Sequence, residues 1–513
     1  MASVISPLQD IFTIVCFNDA FQFALDHDTI DTLLKAHDCA WHLLSPKVPR
    51  FLRWCQRANL CDPDGQLKVD LTPSEKIALS LRYEESGSAD RAWLVALADR
   101  GNAVASYFLA RIIQTETDRR RFMDELEREN ALQQAFRRLE QASNACHPMA
   151  QFHLAESYRN GFGVRANYAK ALELYRGLAT RGMPRAQIAF GRCYENREGV
   201  GRNFDTAIEW YSKAADQGSE DGRLHIVFLQ AWFSFIGHGV EKSDVDAFRR
   251  WREVSNQSTD PVLKPIATLM VGWMHYLGRG TVRDKQKGVR IIQDNRSNAF
   301  PLGEEGCLAG DAGPIWNRSS SDSPAALKFY QLCEMGSDRD CLCEHLMALC
   351  HFHGFGTTED PSSGAAIFEQ LAQKGHSESQ FWIGHCYVTG LGRRRELTEA
   401  IEWFNESAEN GNSYAQWMSG CCYDGEGRDQ DEDEGENEND DGRNDEAKRV
   451  EWYIKSACQG NRYGQYELGR CLQYGLGVPK HKDTAIFWLR KAAEQGHPAA
   501  TSSLERLGEL TRA

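Results

Sequence analysis

A chain of 513 residues with 42% hydrophobic and 26% charged side chains has room for several domains or one extended array, and is too apolar for wholesale disorder. Its formal net charge of −14 argues against a nucleic-acid binder, which needs clustered Lys and Arg to neutralise phosphates. Nine of those charges are local: between Arg428 and Glu446 eleven acidic residues face two arginines, and −14 less −9 leaves about −5 elsewhere.

The apolar run from Ile11 to Phe17 is short, lacks a basic lead and is fenced by Asp10 and Asp19, so no secretory signal is expected. Phe21 to Leu34, Trp41 to Trp54 and Pro73 to Tyr83 predict helices, punctuated by Pro46, Pro49, Pro63 and Gly65. The opening Pro7 to Val15, followed by Leu33-Leu34 and Trp41 to Trp54, resembles an F-box without its Leu-Pro-x-Glu start. That resemblance implies docking onto a ubiquitin-ligase core; the alternative for residues 1–90 is a helical cap on the first repeat. Arg119 to Gln141, with Glu125, Glu127 and Arg137-Arg138, reads as a solvated helical stretch lengthening a degenerate repeat.

From residue 150 a period emerges. Ala150-Gln151 leads to Tyr158, then Gly161-Phe-Gly163 and a closing Gly182; 36 residues later Ala186-Gln187 leads to Gly191, Tyr194, Gly199-Val-Gly201 and Gly218. The same order returns at Ser379-Gln380 with Gly384 and Tyr387, at Ala415-Gln416 with Gly420 and Tyr423, and at Gly464-Gln465 with Gly469. Weaker copies cover Gly222 to Ser258, Pro265 to Ser297 and Cys341 to Gly375. Each copy holds two amphipathic segments joined by Gly-x-Gly and closed by a glycine C-cap, which predicts a helix–turn–helix. Gly191, Gly384, Gly420 and Gly469 are expected to let paired helices approach closely, with Tyr158, Tyr194, Tyr387 and Tyr423 filling the space between them. One such hairpin cannot bury its apolar face alone, so neighbours must stack.

Two insertions interrupt the period. Asn298 to Pro324, rich in Gly and Pro with a serine run at Ser319 to Ser321, reads as a loop before Ala325 to Met335 resumes a second-type helix. Asp429 to Asp441 is acidic low-complexity sequence expected to form a mobile loop between two helices of one repeat. Pro498 to Leu510 predicts a capping helix.

These motifs resemble the Sel-1-like repeat family, a tetratricopeptide-like architecture, over about Asn102 to Gly496. The resemblance implies an all-α, right-handed superhelical solenoid acting as an adaptor that binds proteins or peptides. The expected organisation is an N-terminal segment 1–90, repeats 91–297, a loop insertion 298–324, repeats 325–496 carrying the acidic loop 428–446, and a cap 497–513. First helices are expected to line the concave face. The slot following the small residue, Glu156, Arg192, His385, Cys421 and Arg470, varies as a ligand-reading surface does.

No catalytic chemistry is expected: there is no Gly-x-Ser-x-Gly elbow, Walker loop or Rossmann fingerprint. Sixteen cysteines without a single C-x-x-C read as buried thiols of a cytoplasmic or nuclear chain. Cys193, Cys386, Cys422 and Cys471 share one slot and are read as packing residues. Cys341, Cys343, Cys350, His351 and His353 point to different sides of one helix, so neither metal nor cofactor is expected. Cys333 and Cys341 have the C-x7-C spacing that resembles the helix-clasping disulfides of bacterial cysteine-rich relatives, but the other copies lack the pair. The longest apolar stretch, His225 to Gly237, is far too short to span a bilayer.

Overall fold

The computed structural model describes residues 27–36, 40–62, 64–83, 91–119, 124–310, 323–423 and 442–509. Pro7 to Val15, Ser319 to Ser321 and Asp429 to Asp441 lie outside the described residues. Among those described, the backbone is helical with no strand, and a single isolated bridge joins Cys61 to Leu67. The chain forms two compact units, Met1–Gly222 and Arg223–Ala513.

In the first unit the short helices His27–Ala36, Ala40–Leu44, Val48–Arg57 and Pro73–Arg82 precede the repeats. The single helix expected over Trp41 to Trp54 is split, because Pro46 falls in the intervening turn and Pro49 opens the next helix, where its missing N–H costs nothing. Thr72 and Glu75 form a reciprocal capping box at the start of Pro73–Arg82. The buried Glu75 carboxylate then meets His147 Nε2 at 3.1 Å, while His147 Nδ1 accepts the amide of Ala150 and caps the helix Pro148–Asn160. Phe51, Trp54, Ile77 and Leu79 share one apolar core with Phe108, Tyr175 and Phe190, so these N-terminal helices pack as a continuation of the array.

The repeat itself is a pair of helices. First helices are Pro148–Asn160 and Pro184–Asn196 in the first unit, and Leu263–Leu277, Cys341–His353, Ser377–Thr389, Ser413–Cys422 and Arg462–Tyr474 in the second. Their partners include Tyr168–Thr180, Phe204–Ala215, Lys285–Asp294, Pro361–Gln373, Leu397–Glu409, Gly442–Cys458 and Lys482–Glu494. Close approach within each pair is what the small residue permits. A Cβ added at Gly191 would stand 2.7 Å from the Tyr211 ring, one at Gly384 2.9 Å from Phe404, and one at Gly469 2.8 Å from Leu489. The rings that fill this space are therefore Tyr175, Tyr211, Phe404 and Tyr453 of the second helices, all buried. Of the tyrosines expected there, Tyr158 is buried, whereas Tyr194, Tyr387 and Tyr423 lie only partly covered at the first helix's far end. The turn glycines have a second use. Gly392, at φ 74°, sits against the Pro361 carbonyl of the preceding second helix, where any side chain would overlap the backbone.

In four of these first helices a glutamine near the start holds three helices together. Gln187, Gln380, Gln416 and Gln465 donate from Nε2 to the carbonyls of Ala179, Ala372, Ala408 and Ala457 on the preceding helix. Their Oε1 atoms accept from Gln217, Asn410, Gln459 and Gln495 at 2.7–2.9 Å, at the end of the following helix. These bonds are buried or half-buried and give a second donor to carbonyls that already accept the N–H of the closing glycines Gly182, Gly375, Gly411 and Gly460.

Candidate recognition face

The slot after the small residue lies on one stripe of each first helix, together with residues three and seven positions earlier. For the helix Ser377–Thr389 these are Glu378, Trp382 and His385; for the others, Met149, His153 and Glu156; Arg185, Ala189 and Arg192; Tyr414, Met418 and Cys421; Tyr463, Glu467 and Arg470.

In the first unit this stripe is charged and partly solvent-exposed. Glu156 accepts from Tyr175 Oη at 2.6 Å and from Arg192 at 3.4 Å, the two charged side chains being 24% and 25% exposed. Arg185 is 61% exposed and faces Asp70 at 3.7 Å. Burial, with Arg111 and Arg185 nearby, pushes the His153 imidazole down to about 3, so it stands neutral, stacked on Tyr107.

In the second unit part of the same stripe, Trp382, His385 and Tyr414, is covered by the chain's own insertion. Every residue from Phe300 to Gly310 except Glu305 is buried. The segment expected as a loop is irregular apart from one π-helical turn, Glu305–Ala309, and it packs as an inner strap. Phe300 meets Phe329 and Phe355 at ring-centroid distances of 5.9 and 5.2 Å, and Leu302, Cys307 and Leu308 join the same core. The strap then crosses successive first helices. Trp382 Nε1 donates to the Cys307 carbonyl at 3.2 Å, and His353 Nε2 lies 3.0 Å from the Gly306 carbonyl. The Glu304 carboxylate accepts from Tyr414 Oη at 2.6 Å and from Gln293, and pairs with Arg462 at 3.0 Å; Arg462 also meets Glu305 at 3.0 Å. Gly310 backs directly onto the His385 ring.

Burial sets the protonation here. His353 and His385 are both pushed down to about 4 and stand neutral, while burial raises the Glu304 carboxyl against the pull of Arg462. Partial burial beside Gly411 and Gln459 lowers Lys285 to about 8.

The five slot residues thus have different surroundings. Glu156 and Arg192 meet each other, His385 lies under the strap, Cys421 receives the Tyr453 hydroxyl at 3.6 Å, and Arg470 pairs with Glu467 at 3.0 Å. The Cys slot is apolar packing. Cys193 and Cys386 are buried and pushed up to about 12, Cys471 is buried, and Cys350 occupies the same slot of its own helix. Cys333 is buried and Cys341 exposed, and both are free thiols. Among the described residues no group of His, Cys, Asp and Glu is arranged to hold a metal, and no helix is long and apolar enough to cross a membrane. A cleft of about 210 Å³ lies in the first unit between Leu60, Val69, Ile112 and Glu116.

The Sel1 repeat model matches residues 148–182, 184–219, 265–291, 342–376, 377–412, 443–461 and 462–497. The match at 443–461 takes only the second half of its repeat, where the acidic run separates the two helices. The copy expected at Gly222 to Ser258 is unmatched, yet it forms the helix pair Glu220–Ile236 and Asp244–Gln257. Among solved structures, a protective antigen present in uropathogenic Escherichia coli strains, displaying an SLR fold, is 22% identical over 94% of this chain and 82% of its own, with a TM-score of 0.34. A Sel1 repeat protein from Oxalobacter formigenes is 21% identical over 82% of this chain and 91% of its own, with a TM-score of 0.27. No curated protein matches the chain. Sel1 repeats are generally protein-interaction modules, and the family is typically non-catalytic. With seven such repeats in a helical solenoid, this chain belongs to the Sel1-repeat family.

Proposed function

We propose that the chain is a non-enzymatic adaptor that holds partner proteins or peptides along its first-helix face. One observation carries this reading: the packing frame is constant while the stripe beside it is not. Glycine against a large second-helix side chain and the glutamine clamp recur at Gly191, Gly384 and Gly469, whereas the adjoining slot passes from Arg192 to His385 to Arg470. A surface that changes on an unchanging scaffold is what selective recognition needs. The unpaired thiols of the described residues, Cys55, Cys193, Cys307 and Cys386 among them, support a reducing compartment such as the cytoplasm or nucleus.

The ubiquitin-ligase recruiter is the second reading. The core shared by Phe51, Trp54 and Phe108, with the Glu75–His147 contact, favours the N-terminal helices as a cap on the array. Affinity purification with mass spectrometry separates the two, comparing the full chain, a chain lacking residues 1–26, and the double variant Glu156→Arg, Arg192→Glu. The adaptor reading expects partners that survive the truncation and are lost with the charge exchange. Ligase core subunits captured by the full chain and lost on truncation would establish the recruiter instead. Partners indifferent to both changes would sink the first-helix reading.

A further inference from the structure

The strap occupies the second unit's face as an external ligand would have to. It runs across first helices from Cys341–His353 to Arg462–Tyr474, partners separated from it by 47 to 157 positions in sequence. Its contacts are of two kinds. Side chains of the first helices grip backbone carbonyls, Trp382 at Cys307 and His353 at Gly306, which any peptide can offer. A cation and a phenol, Arg462 and Tyr414, grip one carboxylate, Glu304, which only an acidic residue can offer. Apolar side chains, Leu302 and Leu308, fill the space between. Carbonyl capture, one specified charge and apolar anchors are together the elements of peptide recognition.

We propose that the first-helix face of the second unit is a site for an acidic peptide of the form apolar–x–Glu–Glu–x–x–apolar, and that Phe300–Gly310 is its built-in occupant. A partner segment of the same chemistry gains access only as the strap leaves. The carbonyl contacts set little selectivity, since every chain has carbonyls. The carboxylate at Arg462 and Tyr414 sets the requirement for an acidic residue. This rests on reading the first-helix face as a recognition face, but its test uses the chain's own segment and is independent of any partner screen.

The test is fluorescence anisotropy with a labelled synthetic peptide of residues 298–310 carrying Cys307→Ser. It is added to the full chain and to a full-length variant whose residues 299–310 are replaced by an equal length of Gly and Ser. The proposal expects the replaced chain to bind at least tenfold more tightly than the unaltered chain. It also expects a loss of tenfold or more when Arg462→Ala is added or when the peptide carries Glu304→Ala. Equal binding by both chains, or no binding by a replaced chain that keeps its helical circular dichroism, overturns it. Loss of the helical signal on replacement also counts against it, because an occupant can leave its site and a core element cannot. Hydrogen exchange on the full-length double variant Glu304→Ala, Glu305→Ala reads the same distinction without deletion. Faster exchange confined to 300–310 supports an occupant; an equal rise across 377–389 and 413–422 overturns it.

Discussion

The two units build the same stripe and use it differently. In the first, Glu156, Arg185 and Arg192 stand partly in solvent and engage one another or Asp70. In the second, Trp382 and Tyr414 are buried and His385 is half-buried under a segment of the same chain. The helices beneath do not differ in kind: Gly191 against Tyr211 and Gly384 against Phe404 are the same contact. Repetition of the frame therefore does not fix the state of the face. A short insertion placed between repeats decides whether the face is open to a partner or already filled.

The largest effect that breaks this symmetry comes from Trp382. Trp382→Ala removes a buried ring and the donor to the strap, and costs about 3–5 kcal/mol in a urea titration. The same stripe position in the first unit is His153, partly exposed, and His153→Ala costs about 1 kcal/mol. Equal losses would mean the strap adds nothing to the second unit.

Acid is the next lever. His353 and His385 have folded values of about 4 against an ordinary value near 6.5. The unfolded chain takes up their protons first as pH falls, so stability present above about 6.5 is lost on the way down to about 4. The loss reaches about 3 kcal/mol for each imidazole. Glu304, raised by burial, works in the opposite sense over its own range. The expected result is a urea midpoint that drops from pH 7.5 to pH 5, a loss to which His153 of the first unit, pushed down to about 3, contributes in the same sense.

The glutamine clamp sharpens the comparison by being common to both units. Gln187→Leu and Gln380→Leu each remove two side-chain hydrogen bonds that tie neighbouring helices together, and each costs about 1–2 kcal/mol. Unequal costs would show that the frames differ after all. The smallest effect belongs to the open face: Arg192→Ala loses a contact to Glu156 between partly exposed groups and costs less than about 1 kcal/mol, while partner capture falls.

Much of the frame is legible in the sequence. The Gly-x-Gly turns, the closing glycines and the small residue at Gly191, Gly384, Gly420 and Gly469 each state a backbone or packing requirement locally. The glutamines are visible in the same motif, at Gln187, Gln380, Gln416 and Gln465, but their role emerges only with the fold. A polar side chain fixed among apolar neighbours must be buried and bonded, and that signal is sufficient to find them. The motif places the filling aromatics on the wrong helix, because Tyr194 and Tyr387 share the first helix with the glycine. A residue on the same helix as a gap cannot fill it as Tyr211 and Phe404 do from across. The strap reads as a loop from Pro301, Gly303, Gly306 and Gly310. Its apolar residues, Phe300, Leu302, Leu308 and Ala309, carry the contrary signal. What no local pattern holds is the pairing of Glu304 with Tyr414 and Arg462, which depends on how repeats stack.

The most direct test of a face that is filled in one unit and open in the other is hydrogen exchange of the full chain with and without a captured partner. Any footprint on the helices 377–389 or 413–422 is expected to come with faster exchange at 300–310, because the face must be vacated first. A footprint confined to 148–160 and 184–196 leaves the strap unchanged and agrees equally. Protection of 377–389 with 300–310 as slow as before would contradict it.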